Sequence, residues 1–125
     1  MRHGESRFQM GVVRFLRSLG YQVFSVPNGT RLKPTQARIA KAEGLMAGVA
    51  DLVIMLPKGQ IVFAELKNPN GKGRQSAEQK AFERCARALG FVYKIWQDWA
   101  DVQSFVNRTQ AIIREWNAEN ENTLH

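Results

Sequence analysis

A single cysteine, Cys85, and two histidines, His3 and His125, at the extremities of a 125-residue chain remove whole classes of chemistry at the outset. One thiol closes no intrachain disulfide, and no zinc-ligand set surrounds it, so a reducing compartment suits the chain. The segment Ala81-Phe82-Glu83-Arg84-Cys85-Ala86-Arg87-Ala88-Leu89 offers no histidine to activate that thiol, and Cys85 is expected as a small core side chain on a helix. Histidines confined to the ends leave a histidine-based triad or metal site with no ordered place to sit. No apolar run approaches the roughly 20 residues of a membrane span, and Met1-Arg2-His3-Gly4-Glu5 leads into no signal-peptide core. A soluble, cytoplasmic protein is expected. No glycine-rich phosphate loop or cofactor fingerprint occurs, which argues against small-molecule metabolism. The chain is also short of acid: 11 Asp and Glu face 18 Lys and Arg, a formal charge of +7. That imbalance points to a polyanionic partner, nucleic acid first, although basicity alone is weak evidence and the motifs must decide.

What is present is enough for one core without disulfide or metal staples, since 44% of residues are apolar. One domain over residues 1–125 is expected, with its core at about 5–106 and a C-terminal helix and polar tail at 107–125. Phe8, Val12, Phe15, Leu16 and Leu19 recur at helical spacing from Glu5, and Gly20 stops that helix. Tyr21 to Val26 reads as a strand, broken by Pro27-Asn28-Gly29. Arg31 to Glu43 reads as a basic, partly exposed insertion whose helix begins near Pro34 and ends at Gly44. Leu52 to Leu56 and Ile61 to Lys67, separated by Pro57-Lys58-Gly59-Gln60, read as a hairpin. Ser76 with Gln79 is a capping box, opening a helix whose apolar face is expected to be Ala81, Phe82, Cys85, Ala86 and Leu89. A fourth strand follows at Phe91 to Ile95, then one or two helices over Trp99 to Val106 and Gln110 to Trp116, then a polar tail from Asn117. The fold class is α/β: a helix-strand-strand-strand-helix-strand core in which a mixed sheet is flanked by helices.

Glu65 and Lys67 stand two apart on a strand, so both leave one face, about 7 Å apart. A carboxylate and an ammonium at the end of an apolar strand either pair or serve a site. Folding the chain about a turn near Lys58 and Gly59 sets Asp51 opposite Glu65 to within a residue. Two carboxylates side by side repel unless a cation lies between them, and hard oxygen ligands suit Mg²⁺ or Mn²⁺ better than Zn²⁺. Such an ion with Lys67 nearby is a device for phosphodiester hydrolysis.

Asp51 with the triplet Glu65-Leu66-Lys67 resembles the PD-(D/E)xK nuclease signature. Glu5 to about Phe105 resembles more narrowly the VRR-NUC branch, the virus-type replication and repair nucleases. The matching features are Glu5 with Gln9, Val26-Pro27-Asn28-Gly29, Gly48-Val49-Ala50-Asp51-Leu52, Ala64-Glu65-Leu66-Lys67, and Ser76 with Gln79. The proline of the signature's name is absent, since Ala50 precedes Asp51. The resemblance implies a restriction-endonuclease-like core and metal ligation by Asp51, Glu65 and the Leu66 carbonyl. It implies a catalytic Lys67, a contribution from Glu5, and Gln79 near the same site. It further implies a DNA endonuclease, often of phage origin, that works as a homodimer on branched DNA such as Holliday junctions, in a bacterial or phage-infected host cell. The alternative is a non-catalytic nucleic-acid-binding module on the same fold.

Plainer readings accompany each residue. Glu5 suits a helix N-terminus, Gln79 suits its capping box, and Glu65 with Lys67 could be an ion pair on an exposed sheet edge. Arg31, Lys33, Arg38, Lys41, Lys72 and Arg74 bracket the site in sequence and are expected to contact the DNA backbone, where the alternative is a solvated face. Trp96, Trp99 and Trp116 are expected to pack rather than to stack on bases. Exposed apolar groups among Val102, Phe105, Val106, Ile112, Ile113 and Trp116 would make the C-terminal helices a dimer surface.

Overall fold

The computed structural model describes residues 3–27, 32–70 and 73–124. Its elements run α1 (His3–Ser18), β1 (Gln22–Ser25), α2 (Pro34–Ala42), β2 (Leu52–Leu56), β3 (Gln60–Leu66), α3 (Ala77–Ala88), β4 (Val92–Trp96) and α4 (Trp99–Leu124). The four strands form one sheet in the order β1-β2-β3-β4. The first three are antiparallel neighbours, and β4 joins β3 in parallel after α3 has crossed over. A single 3₁₀ turn at Pro57–Gly59 closes the β2–β3 hairpin, with Lys58 in left-handed backbone at φ 65°.

The alternation of strand side chains gives the sheet two different faces. On one lie Leu52, Ile54, Val62, Ala64 and Leu66, covered by Phe8, Val12 and Leu16 of α1 and by Val102, Phe105, Val106 and Ile113 of α4. Burying side chains of this size stabilises by roughly 1.5–3 kcal/mol each, which makes this the principal core. The other face is thinner: Phe63 and Tyr93 meet Phe82 and Ala86 of α3. Glu65 lies on this second face, two residues beyond Phe63.

Three expectations need correction. Cys85 is exposed rather than core, and so are Ala81 and Leu89, because α3 turns only Phe82 and Ala86 onto a narrow strip of sheet. Val102, Phe105, Val106 and Ile113 are buried against the sheet instead of forming a free surface, leaving Ile112 as the exposed large apolar side chain of that group. The polar tail from Asn117 is helical through Leu124, with one residue, Asn120, outside helical geometry at φ −121°. The amide of Asn117 reaches back to donate to the Gly20 carbonyl at 3.1 Å, which ties this part of the helix to the end of α1. No helix among the described residues is long and apolar enough to cross a membrane.

Candidate active site

Asp51 sits just outside β2, where the chain leaves the ladder. The register pairs Leu52 with Ala64, so its continuation sets Asp51 opposite Glu65. The Asp51 carbonyl accepts from the Val26 N–H at 3.0 Å, holding the residue to the end of β1. Its side chain turns to β3, where Oδ2 accepts the Leu66 N–H at 2.7 Å. A main-chain donor beyond the last ladder pair is thus satisfied by the aspartate, and the carboxylate is fixed beside Glu65. Burial is the largest influence on Asp51. With the neighbouring charges of Glu65 and Glu5, and against the Leu66 N–H and Lys67, it lifts the carboxyl from 3.8 to about 6.

Glu65 is completely buried on an inner strand. That removes the reading of an ion pair on an exposed edge. One oxygen, Oε1, accepts from the Tyr93 hydroxyl at 2.6 Å and from the Gln75 amide at 2.9 Å. The other, Oε2, has the Lys67 ammonium at 3.0 Å, yet no donor is aligned on it as a hydrogen bond. The tyrosine hydroxyl is held in its neutral form by burial first and by donation to Glu65 second, both of which raise its pKa. Gln75 also donates to Glu83 at 2.8 Å, Glu83 pairs with Arg87 at 2.9 Å, and Arg87 donates to the Tyr93 carbonyl at 3.1 Å. A closed ring of polar contacts from β3, β4 and α3 therefore fixes one edge of Glu65 and leaves the other facing Lys67 and Asp51.

Lys67 lies one residue past β3 and is also buried. Its N–H donates to the Trp96 carbonyl at 2.9 Å, extending the parallel pairing by one step. Its ammonium donates to Gln79 Oε1 at 3.2 Å. The same oxygen accepts from the Ser76 N–H at 2.9 Å, and Ser76 Oγ accepts in return from the Gln79 N–H at 3.1 Å. Gln79 thus serves the capping box and orients Lys67 at once. Glu5, half-buried in α1, is close enough to act on Asp51, and a Cβ at Gly73 would stand 3.7 Å from its carboxylate.

The placing of Asp51 beside Gln79 depends on a close approach at Gly48. Its backbone is left-handed at φ +85°, and a Cβ there would lie 2.3 Å from the Glu78 carbonyl carbon and oxygen and 2.7 Å from the Gln79 nitrogen. Only glycine lets the segment leading to Asp51 press against the start of α3, where Gln79 reaches Lys67.

The structure therefore brings together Asp51, Glu65, Lys67, Gln79 and Glu5. Of the expected DNA contacts, Lys33, Arg38, Lys41 and Arg74 are exposed; Arg31 and Lys72 lie outside the described residues. Trp96 is buried, and Trp99 packs edge-on against Phe8 and Phe15. Tyr93, Gln75 and Glu83 were not anticipated. Tyr93 stands in an apolar strand and pairs with Phe63, so the sequence marks it only as a core aromatic.

Among the described residues no three His, Cys, Asp or Glu side chains converge tightly enough to hold a metal by themselves. The donors that do converge, a buried glutamate oxygen without an aligned hydrogen bond and an aspartate whose proton affinity is raised beside it, suit a hard divalent cation. Chemically the site can bind such an ion together with a phosphodiester, with an ammonium fixed alongside.

No family model matches the sequence, and no curated protein does. Two solved structures do match the fold. One, described as a VRR_NUC domain, superposes with a TM-score of 0.62 at 20% identity, over 85% of this chain and 97% of its own. Another, described as a VRR_NUC domain protein, gives a TM-score of 0.70 at 17% identity, over 90% of this chain and 92% of its own. With its mixed four-stranded sheet and flanking helices, and with agreement over most of both chains, this protein shares the fold of the structures described as VRR_NUC domains.

Proposed function

We propose that this protein is a metal-dependent DNA endonuclease that hydrolyses phosphodiester bonds, acting as a homodimer and preferring branched DNA such as Holliday junctions. The observation that carries the chemistry is the convergence of Asp51, Glu65 and Lys67 at the end of the β2–β3 hairpin, with Glu65 Oε2 buried and lacking an aligned donor. Asp51, Glu65 and the Leu66 carbonyl are the residues that would hold Mg²⁺ or Mn²⁺. Such an ion, when held there, would supply Lewis acidity and make a nucleophilic water more acidic. Lys67, fixed by Glu65 and Gln79, offers its ammonium to charge that develops on the phosphate or orients the attacking water. Glu5 adds negative charge at the rim, which favours the cation. Tyr93 and Gln75 hold Glu65 in one orientation and so spare reorganisation during reaction. The preference for branched DNA and the dimer rest on the likeness to VRR-NUC nucleases.

The test is cleavage of a labelled synthetic four-way junction beside a matched linear duplex, in Mg²⁺, in Mn²⁺ and in EDTA, with wild type and Glu65→Ala. Metal-dependent cutting of the junction that falls at least 1,000-fold in the variant, on the order of a missing catalytic group, is expected. Tight binding of the junction with no cutting in either metal would replace the nuclease with a binding module.

A further inference from the structure

The expected DNA contacts in the sequence lie around α2 and the loop before α3. A different feature is a shallow furrow of about 700 Å³ between the outer face of α1 and the edge of β1. Gln9, Arg14, Arg17, Ser18 and Ser25 line it together with apolar residues, and no carboxylate does. Its two walls both lead to the catalytic cluster. Gln9 is one helical turn from Glu5, whose charge acts on Asp51. Ser25 pairs with Leu52 and precedes Val26, whose N–H is bonded to the Asp51 carbonyl.

The cations of the furrow are poised. The Arg17 guanidinium is pinned to the sheet edge, donating from Nε at 3.3 Å and from Nη2 at 3.0 Å to the Val23 carbonyl. That contact fixes its direction but leaves its charge uncompensated, because no described carboxylate lies within 4.0 Å of it or of Arg14. A guanidinium held by a carbonyl keeps its remaining N–H donors for an outside acceptor. From Gln9 to Arg17 the helix rises about 12 Å, the axial length of three or four nucleotides. None of the lining residues is aromatic, so the furrow offers charge and hydroxyls but no stacking platform.

We propose that this furrow is a track for the phosphodiester backbone of a DNA strand entering or leaving the Asp51–Glu65–Lys67 site, held without regard to sequence by Arg14 and Arg17. The track deepens the nuclease reading and rests on it. It would give the enzyme backbone contacts on the α1 side of the scissile bond.

Fluorescence anisotropy of a labelled duplex and a labelled four-way junction, titrated with full-length protein in EDTA at several salt concentrations, tests it. Arg14 is exposed and makes no described polar contact, so Arg14→Ala should fold as wild type. It should weaken binding to both DNAs alike and reduce the slope of log affinity against log salt by about one. Arg14→Glu should weaken binding further, Arg14→Lys should restore most of the slope, and Arg84→Ala, the same charge change on α3, should leave it unchanged. If wild type binds and cuts DNA while Arg14→Ala and Arg14→Glu retain its affinity and slope, the track is wrong and the nuclease stands. If wild type neither binds nor cuts DNA, the nuclease reading falls and the track with it.

Discussion

Glu65 shows how much a single side chain can depend on its neighbours. A buried carboxylate costs several kcal/mol unless it is paired and hydrogen-bonded. Here Tyr93 and Gln75 occupy Oε1 while Lys67 stands against Oε2. The two donors choose which oxygen faces the cluster, so the tyrosine hydroxyl is a positioning group. Replacement by phenylalanine keeps the ring against Phe82 and removes only that hydrogen bond. Tyr93→Phe should weaken Mn²⁺ binding about 10-fold, as loss of a partner that orients a metal ligand commonly does, with little change in melting temperature. Titration calorimetry with Mn²⁺ checks this. Unchanged affinity in a folded variant would reduce Tyr93 to a core residue. The sequence marks Asp51, Glu65 and Lys67 because charges stand at the ends of apolar strands. It is silent on Tyr93 and Gln75, whose types are ordinary for a strand and a loop and whose role exists only when β4 and α3 close on β3.

At the level of elements, the hairpin and the first turn of α3 do most to build the site. The hairpin was legible in outline, because a strand-length apolar run, a Pro-Lys-Gly-Gln turn and a second run fix the register within a residue. The approach of the segment before β2 to α3 was not, since a glycine in a loop has many uses. It is testable by comparison. Gly59 is also left-handed, at φ +74°, but a Cβ there meets nothing within 4 Å, whereas one at Gly48 meets the α3 backbone. Gly59→Ala should cost about 1 kcal/mol from conformation alone, and Gly48→Ala roughly 3 kcal/mol or more because main chain must move as well. Urea unfolding of both variants measures the difference; equal costs would mean that the contact is loose. The burial of α3 was misjudged from sequence for a related reason. Its small and apolar residues Ala81, Phe82, Cys85, Ala86 and Leu89 share one face of the helix, and nothing in a periodicity says that the sheet beneath is wide enough for only Phe82 and Ala86.

For the whole molecule, the crowded acids imply a pH-dependent cost. Burial, then the charges of Glu65 and Glu5, raise the Asp51 carboxyl from 3.8 to about 6. Below pH 3.8 the residue is protonated both folded and unfolded. Between 3.8 and 6 the unfolded chain releases the proton while the folded one retains it, so stability falls as pH rises through this window and stays lower above it. The loss is about 3 kcal/mol. Asp51→Asn keeps an acceptor for the Leu66 N–H and cannot ionise. In EDTA it should melt higher than wild type at pH 7 and show a flatter profile between pH 4 and 6. Mg²⁺ or Mn²⁺ should raise the wild-type melting temperature at pH 7 and not that of the variant, because a bound ion stabilises by mass action. Parallel melting profiles for the two proteins would show that the cluster carries no such cost.

The sequence by itself determined the order of helices and strands, the hairpin register, the positions of the three charged residues at the ends of apolar strands, and the basic balance of the chain. These are local or periodic properties, and short-range sterics and hydrophobic alternation suffice to specify them. Tertiary structure alone decided that α4 spends its apolar face on the sheet, that α3 leaves Cys85 in solvent, that Tyr93 and Gln75 hold Glu65, and that α1 and β1 enclose a furrow without acid. Each of these depends on which residues meet across distant parts of the chain, and packing and the pairing of buried charge settle such meetings only once the sheet has assembled.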